Sequence, residues 1–233
     1  MHDGTTRATA LVDSVLPRTS ATLSLLIDAG LVVGFAALTG LAAQVKVYLN
    51  PAVPISGQTF AVLLAGAALG SKRGTASMLF YLVAGIVGLP VFAIGGAVPG
   101  ASQGYLVGFV AAAWVVGYFT DRGWSRSPFK LVLAMFLGEI AIYAVGLPWL
   151  AFHLAPGLPA LLAKDKGVLW GFVPFKPDSL SGLVMAWGLL PFIPGDAIKL
   201  LLAAFGVPLA WSGIRRLKGG GDGEGRLPAQ FDR

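Results

Sequence analysis

The chain has 233 residues, of which 56% are hydrophobic and only 12% are charged. That charged share is about half of what a soluble domain usually carries, so the composition excludes an ordinary soluble protein and predicts an integral membrane protein. The net charge of +6 comes from basic residues between apolar segments, a pattern typical of membrane topology rather than of nucleic-acid binding. The lack of cysteine excludes disulfides, thiolate catalysis and cysteine-held metal sites.

The N-terminal part of the chain divides into a polar tail and a first apolar segment. Residues 1–20 are polar and mixed in charge, and we expect a loose cytoplasmic tail there. Residues 23–45 are apolar over a length greater than a signal-peptide core, which predicts a first transmembrane helix. Small residues in this segment would let another helix approach closely, whether inside the protein or from a second membrane subunit, and both alternatives stay open. They are Gly30, Gly34, Ala36 and Gly40.

The loop that follows, residues 46–59, is unusually apolar. It contains the turn residues Pro51, Pro54 and Gly57. It also carries five apolar side chains, at Val47, Tyr48, Leu49, Val53 and Ile55. Because removing apolar surface from water is favourable, we expect this loop to fold back over a cavity as a lid.

Five further apolar segments predict five more transmembrane helices. They cover residues 60–70, 75–94, 105–119, 131–150 and about 195–214. Between them we expect a basic turn at 71–74 and a turn at 95–104. The longest connection, 153–181, is less apolar, and we expect an external segment with one or two helical turns there.

Lysine and arginine are distributed unequally between the two predicted sides of the membrane. One side holds twelve of them: Arg7, Arg18, Lys72, Arg73, Arg122, Arg126, Lys130, Arg215, Arg216, Lys218, Arg226 and Arg233. The other side holds four: Lys46, Lys164, Lys166 and Lys176. The positive-inside rule therefore places both termini in the cytoplasm. The prediction is an all-α integral membrane protein with six transmembrane helices in one bundle over residues 21–216, followed by a flexible basic, glycine-rich tail over 217–233.

Two full charges interrupt the last apolar segment. Asp196 and Lys199 are three residues apart, so they share one face of a helix. A charge at membrane depth costs at least a few kcal/mol, which makes it a candidate for function. Pro191 and Pro194 interrupt the preceding helix, and a helix that restarts at Pro194 places Asp196 in its first turn, where the dipole favours an anion. The alternative is a buried ion pair that only fixes packing.

A third charge, Glu139, lies alone within the segment 131–150, so it should face the interior of the bundle. It either binds a ligand or completes a hydrogen-bond network, and the sequence does not decide between them. His153 is the only histidine outside the N-terminal tail, so no histidine metal cluster is expected, and we predict no cofactor. No Walker A motif is present, so uphill transport would need energy from a partner or a gradient. A cavity near the outer membrane face, with an acid, an amine and aromatic walls, suits capture of a small molecule.

Five motifs, in order along residues 30–215, resemble the BioY family. They are VPISGQTFAVLLAG (53–66), GLPVFA (88–93), GYLVGF (104–109), IYAVGLPWL (142–150) and PFIPGDAIK (191–199).

The resemblance implies a non-enzymatic, biotin-binding S component of an energy-coupling-factor (ECF) vitamin transporter. Such a protein would be a multi-pass protein of the bacterial cytoplasmic membrane, surrounded by lipid and binding no nucleic acid. It would bind biotin from outside and dock on a transmembrane coupling protein driven by two cytoplasmic ABC-type ATPases. The family's functional acid and lysine fall on Asp196 and Lys199, and its lid glutamine falls on Gln58.

Biotin chemistry suits these residues. Asp196 can accept a hydrogen bond from a ureido N–H, and Lys199 can donate to the ureido oxygen or to the tail carboxylate. Glu139 is a further candidate contact. Aromatic walls are expected from Tyr48, Phe92, Tyr105, Tyr143 and Trp149.

Three rival interpretations stay open, and one of them, a purely structural subunit, would leave the ion pair and the apolar loop unexplained. The chain could be an S component for another vitamin, such as thiamin or riboflavin. It could also be an integral membrane enzyme that uses Asp196, Lys199 and Glu139 on a lipid-linked substrate, although the aspartate or histidine sets of membrane phosphoryl chemistry are missing.

Overall fold

The computed structural model describes residues 10–15, 20–93, 100–164 and 177–219, and the protein is helical over most of these ranges. The α-helices are α1 (Ala21–Ala42), α2 (Gln58–Ile86), α3 (Gln103–Thr120), α4 (Pro128–Leu154), α5 (Leu158–Lys164), α6 (Leu180–Gly188) and α7 (Ile193–Gly219). Short 3-10 turns occupy Val12–Ser14, Trp124–Arg126 and Ala155–Gly157. Two short strands, β1 (Lys46–Val47) and β2 (Ile55–Ser56), pair antiparallel.

Four helical stretches are long and apolar enough to cross a membrane. They are Ala21–Ala42, Gln103–Thr120, Pro128–Ala163 and Leu180–Ile214. The prediction of an all-helical membrane protein is thereby supported, and the predicted spans at 23–45, 105–119 and 131–150 fall on α1, α3 and α4. Side chains at Ser20 and Ser179 begin two of the stretches, since they accept hydrogen bonds from the free backbone N–H groups of Leu23 and Gly182.

The predicted spans 60–70 and 75–94 fall on α2, which is bent sharply at Gly70 and ends at Ile86, so the second span is shorter than predicted. Gly70 has φ 80° and ψ −178°, a conformation that residues with a side chain rarely adopt. A Cβ atom built on Gly74 would lie 3.2 Å from the Cα of Gly66. In a straight helix, residues eight positions apart are about 12 Å apart along the axis, so the chain turns back on itself at Gly70. The chain thus turns between the two predicted spans, but it does so at Gly70 and not over residues 71–74, which are helical.

Close backbone contacts hold α2, α3 and α4 together. A Cβ atom on Gly117 of α3 would collide with the backbone of Ser71, and one on Gly108 would lie 2.9 Å from the backbone of Ile142. Small residues at such crossings allow the tight van der Waals packing that joins helices in membranes. The three helices thus form the closely packed part of the bundle, and α7 packs against α2 and α4.

The end of the bundle near Gly70 gathers the charged connections. Arg73 bonds to Asp13 at 2.7 Å and to Asp28 at 3.3 Å, and the Asp121 carboxylate accepts from the Ser71 backbone N–H at 3.1 Å. Ala10 is buried at this end, so the described part of the predicted N-terminal tail contacts the bundle. The loop between α1 and α2 lies at the opposite end of the bundle from Gly70. The start of α7 lies at that same end.

The predicted external segment at 153–181 is helical over residues 153–164 and non-helical over 177–179, before α6 begins at Leu180. A 3-10 turn continues from α4 into α5, which ends at Lys164. Residues 95–99 of the predicted turn at 95–104 and residues 220–233 of the predicted tail at 217–233 lie outside the described residues.

Candidate ligand-binding site

A cavity of about 320 Å³ lies beneath the loop that joins α1 to α2. This volume is at the lower end of the roughly 300–1,000 Å³ of small-molecule sites. The loop, the turn after α2 and helices α3, α4 and α7 all contribute to the wall. The lining residues are Val53, Pro54, Ser56, Gln58, Thr59, Phe92, Ala93, Gly100, Ser102, Gln103, Tyr105, Leu106, Phe109, Ile142, Tyr143, Phe192 and Lys199.

The loop is shaped by its two strands and by Asn50. Asn50 is buried, and its side-chain oxygen accepts from the backbone N–H groups of Ala52 and Val53 at 2.9 and 2.8 Å. Its amide also donates to the backbone oxygen of Trp187 on α6 at 3.0 Å. These bonds turn the apolar segment 52–54 inward, where it is buried, while Tyr48 stays partly exposed and lines no part of the cavity. The loop therefore covers one side of the cavity, in the position expected of a lid.

Asp196 and Lys199 form an ion pair at the cavity wall. Helix α7 begins at Ile193 with Asp196 in its first turn, as the sequence predicts. The Lys199 ammonium lies 3.2 Å from the Asp196 carboxylate, and it also donates to the Ser56 backbone oxygen at 2.8 Å and to the Thr59 hydroxyl at 3.1 Å. An ammonium has three donors, and all three have partners here. Because Ser56 belongs to β2, Lys199 links the loop between α1 and α2 to α7.

Asp196 lies behind the wall rather than on it. Only 6% of its surface is exposed, and it is not among the lining residues. Besides Lys199, its carboxylate accepts from the Thr59 hydroxyl at 3.2 Å and from the Tyr143 hydroxyl at 2.5 Å. Thr59, Tyr143 and Lys199 all line the cavity. The carboxylate thus orients three polar wall residues from one buried position.

Gln58 belongs to a second polar group beneath the loop between α1 and α2. Its amide nitrogen donates to the Tyr81 hydroxyl at 2.6 Å, and its oxygen accepts from the Ser56 hydroxyl at 2.8 Å. Tyr81 in turn donates to the Val91 backbone oxygen at 3.1 Å. The ring of Tyr81 also meets that of Phe92 edge to face, with centroids 5.4 Å apart. This network joins the loop between α1 and α2, helix α2 and the turn after α2.

Three of the five predicted aromatic walls, Phe92, Tyr105 and Tyr143, line the cavity. Tyr105 meets Tyr143 edge to face at 6.2 Å and stacks on Phe192 at 6.5 Å. Its hydroxyl donates to the Gly188 backbone oxygen at 2.9 Å, which satisfies its polar end inside the protein. The wall at this side is therefore aromatic and apolar.

Two other predicted site residues, Trp149 and Glu139, lie off the wall. The indole N–H of Trp149 donates to the backbone oxygen of Gly100 at 3.0 Å, and its ring stacks on His153 at 5.3 Å. It therefore holds the chain entering α3 rather than lining the cavity. Glu139 is buried in α4.

Sequence reasoning missed several wall residues. Thr59 and Phe192 lie inside two of the five motifs, and membership of these motifs could have identified them as wall residues. Ser102 and Gln103 carry no such signal. Of the lining residues, Lys199 alone has a charged side chain. No three His, Cys, Asp or Glu side chains within the described ranges come close enough to hold a metal ion.

Comparison with known proteins agrees with the motifs. A sequence profile of the BioY family matches residues 17–216. The probable biotin transporter BioY of Lysinibacillus sphaericus is 43% identical over 142 residues, which are 60% of this chain and 72% of that protein. The biotin transporter BioY of Thermotoga maritima is 36% identical over 166 residues, 69% of this chain and 90% of that protein.

A solved structure shares the fold. It is the S-component for biotin from an ECF-type ABC transporter, and it matches with a TM-score of 0.60 and 24% identity over 86% of this chain and 95% of that one. The family profile spans far more than half of the chain, and the resemblance of the five motifs is confirmed: this chain belongs to the BioY family.

Proposed function

We propose that this protein is the biotin-binding S component of an ECF-type vitamin transporter, and that it captures biotin in the cavity under the loop of residues 46–59. The observation that carries the proposal is the group around Lys199. One buried carboxylate, Asp196, orients an ammonium, a phenol and a hydroxyl at the wall of a small, largely aromatic cavity. The names of the BioY relatives support the choice of biotin.

The apolar part of biotin fits the aromatic side of the cavity. Biotin has a sulfur-containing ring with little hydrogen-bonding capacity, and the walls near it would come from Phe92, Tyr105, Phe109 and Phe192. Aromatic side chains supply large contact areas with few rotatable bonds. This part of the site would provide affinity by removing apolar surface from water.

The polar atoms of biotin fit the side of the cavity near α7. The ureido oxygen and the tail carboxylate are both acceptors, and Lys199 can exchange its present acceptor Thr59 for either of them while it keeps its bond to Ser56. The amide of Gln58 can both donate and accept under the lid. Asp196 would act mainly by keeping Lys199 charged and Tyr143 oriented.

The membrane arrangement and the partners follow the same proposal. The two arms of α2 would be two of six transmembrane helices, with both termini in the cytoplasm of a bacterial cell. This chain has no Walker A motif. A transmembrane coupling protein and two cytoplasmic ABC-type ATPases would therefore supply the energy for transport. The enzyme alternative does not hold, because the chain belongs to a family whose named relatives are transporters.

A binding screen over vitamins tests the proposed ligand. We expect the purified protein to bind biotin saturably at one site, and to bind neither thiamin nor riboflavin at the same concentrations. Isothermal titration calorimetry measures both affinity and stoichiometry. Saturable binding of thiamin or riboflavin without biotin binding would assign the protein to another vitamin.

Biotin should also protect the lid from hydrogen exchange. The bond from Lys199 to the Ser56 backbone oxygen and the bonds of Asn50 hold the loop over the cavity, and a ligand beneath the loop would keep them closed longer. We expect slower amide exchange over residues 46–59 at saturating biotin, with no change over α1 as the internal control. Equal exchange with and without biotin would show that the loop is not a lid.

The open face of α1 is where we expect the coupling protein to dock. A Cβ atom on Gly30 or Gly34 would meet nothing within 4 Å, whereas one on Gly40 would lie 3.2 Å from Val91. Gly34→Leu should therefore weaken assembly with the coupling protein and leave biotin affinity near wild type. Gly206→Leu is the matched control, because Gly206 on α7 is equally open. Measured by co-purification, normal assembly of Gly34→Leu would place the docking face elsewhere.

A further inference from the structure

Helix α6 ends at a buried residue, Trp187, whose backbone oxygen receives no hydrogen bond from the helix itself. In a regular helix this oxygen would accept from the N–H four residues on, but that residue is Pro191, which has no N–H. The N–H of Leu190, three residues on, bonds to the backbone oxygen of Met185 instead. A buried carbonyl without a donor is costly, so the donor has to come from another part of the fold.

Asn50 supplies that donor from the loop of residues 46–59. Its amide nitrogen lies 3.0 Å from the Trp187 oxygen, while its side-chain oxygen accepts from the backbone N–H groups of Ala52 and Val53. Asn50 is buried, and it is not among the residues that line the cavity. One side chain therefore shapes the turn of the loop and also fastens the loop to α6.

The loop is fastened a second time, near its other end. Lys199 of α7 donates to the Ser56 backbone oxygen at 2.8 Å. The loop residues Val53 and Pro54, which line the cavity, lie between the two fastenings. Under the proposed function Lys199 also meets biotin, so its bond to Ser56 depends on the ligand. The bond from Asn50 to α6 joins two groups outside the cavity wall, and its strength does not depend on a direct contact with biotin.

We propose that Asn50, by fastening the loop to the end of α6, sets how long biotin stays in the cavity without contacting biotin itself. The inference rests on the proposed function. A loop that covers biotin has to lift before biotin leaves, and lifting it breaks the bond from Asn50 to the Trp187 oxygen. The barrier to release contains this bond, whereas entry of biotin beneath a loop that is already open does not. Asn50 is thus a positioning residue that acts on the rate of dissociation.

Asn50→Ser separates the two roles of the side chain. A serine hydroxyl can still accept from the N–H groups two and three residues on, but it is too short to reach the Trp187 oxygen. Release is measured by loading the purified protein with radiolabelled biotin and adding an excess of unlabelled biotin. We expect release about twofold to tenfold faster than in the wild type, the range that one hydrogen bond accounts for. The association rate should stay near wild type, so that Kd rises by the same factor.

Gln44→Ser is the matched control. Gln44 also uses a side-chain amide to reach backbone oxygens, those of Gly40 at 3.0 Å and Pro90 at 3.4 Å, but it precedes the loop. Its release rate should equal that of the wild type. Asn50→Leu removes both roles of Asn50 and should release biotin at least as fast as Asn50→Ser.

Three results would overturn the inference. The first is wild-type release from Asn50→Ser, with or without faster release from Asn50→Leu. The second is a loss of affinity in Asn50→Ser that arises entirely from slower association. The third is equally fast release from Gln44→Ser. A wild type that binds no biotin at all would instead overturn the proposed function.

Hydrogen exchange without biotin tests the fastening independently of the ligand. Amides over residues 46–59 should exchange faster in Asn50→Ser than in the wild type or in Gln44→Ser, because the loop opens locally more often. Exchange over α4 should be the same in all three proteins and serves as the internal control. Equal exchange of the loop in Asn50→Ser and the wild type would show that the bond to α6 does not hold the loop, and would contradict the inference.

Discussion

Asp196→Asn should weaken biotin binding by tenfold to more than a hundredfold while the protein still folds. Asparagine keeps the shape of the side chain but removes the negative charge. That charge holds the Lys199 ammonium at 3.2 Å and strengthens the hydrogen bonds that the carboxylate accepts from the Tyr143 and Thr59 hydroxyls. A charge-assisted hydrogen bond contributes about 1.5 to 3 kcal/mol, which sets this range. Titration of the purified variant with biotin measures the loss, and its Tm reports on folding. Asp28→Asn is the control, because Asp28 pairs with Arg73 at the other end of the bundle.

The partner of Asp196 gives a second arm of the same test. Lys199→Met should also weaken biotin binding, and it should lower Tm because it leaves a buried carboxylate without its cation. Combining it with Asp196→Asn removes the uncompensated charge, so the Tm of the double variant should be higher than the two single losses predict. Its biotin affinity should remain low. An ion pair that only fixes packing would show the opposite: a lower Tm in each single variant with near-normal biotin affinity.

Gly70→Ala should destabilise the whole bundle. The backbone of Gly70 has φ 80°, and holding a residue with a side chain there costs about 1–3 kcal/mol. A Cβ atom would also collide with the Asp121 carboxylate, which bonds the Ser71 backbone N–H. Each kcal/mol corresponds to roughly 2–4 °C in Tm for a chain of this size.

Gly30→Ala is the matched control for this change. Gly30 lies within α1 with nothing within 4 Å of an added Cβ atom, and alanine favours helix more than glycine does. Thermal unfolding of both variants should show a clear fall in Tm for Gly70→Ala and none for Gly30→Ala. An unchanged Tm in Gly70→Ala would mean that α2 can bend elsewhere.

Local pattern predicted the spans and the charged pair well. Apolar length placed α1, α3 and α4, and the two prolines placed Asp196 in the first turn of α7. Residues 71–74 were predicted as a turn although they are helical, because Lys72 and Arg73 lower the local hydropathy. Charged side chains at a membrane surface remain compatible with a helix, as the ion pairs of Arg73 show.

Contacts between distant residues could not be predicted from local pattern. Thr59 lies 137 residues from Asp196, and nothing in the spacing of either segment indicates that they bond. The periodicity of α4, by contrast, was informative. At about 100° per residue, Trp149 is rotated by about 240° from Tyr143 and so points away from the wall that Tyr143 lines. Assigning Trp149 to the wall from its motif overlooked that rotation.

A structure of the protein with biotin bound tests the proposed site most directly. We expect biotin inside the cavity of about 320 Å³, covered by residues 53–56, with Lys199 within hydrogen-bond distance of a biotin oxygen and with Tyr105 against its apolar ring. Asp196 should still contact Tyr143 behind the wall. Biotin bound away from Lys199, or outside the space beneath the loop, would contradict the account.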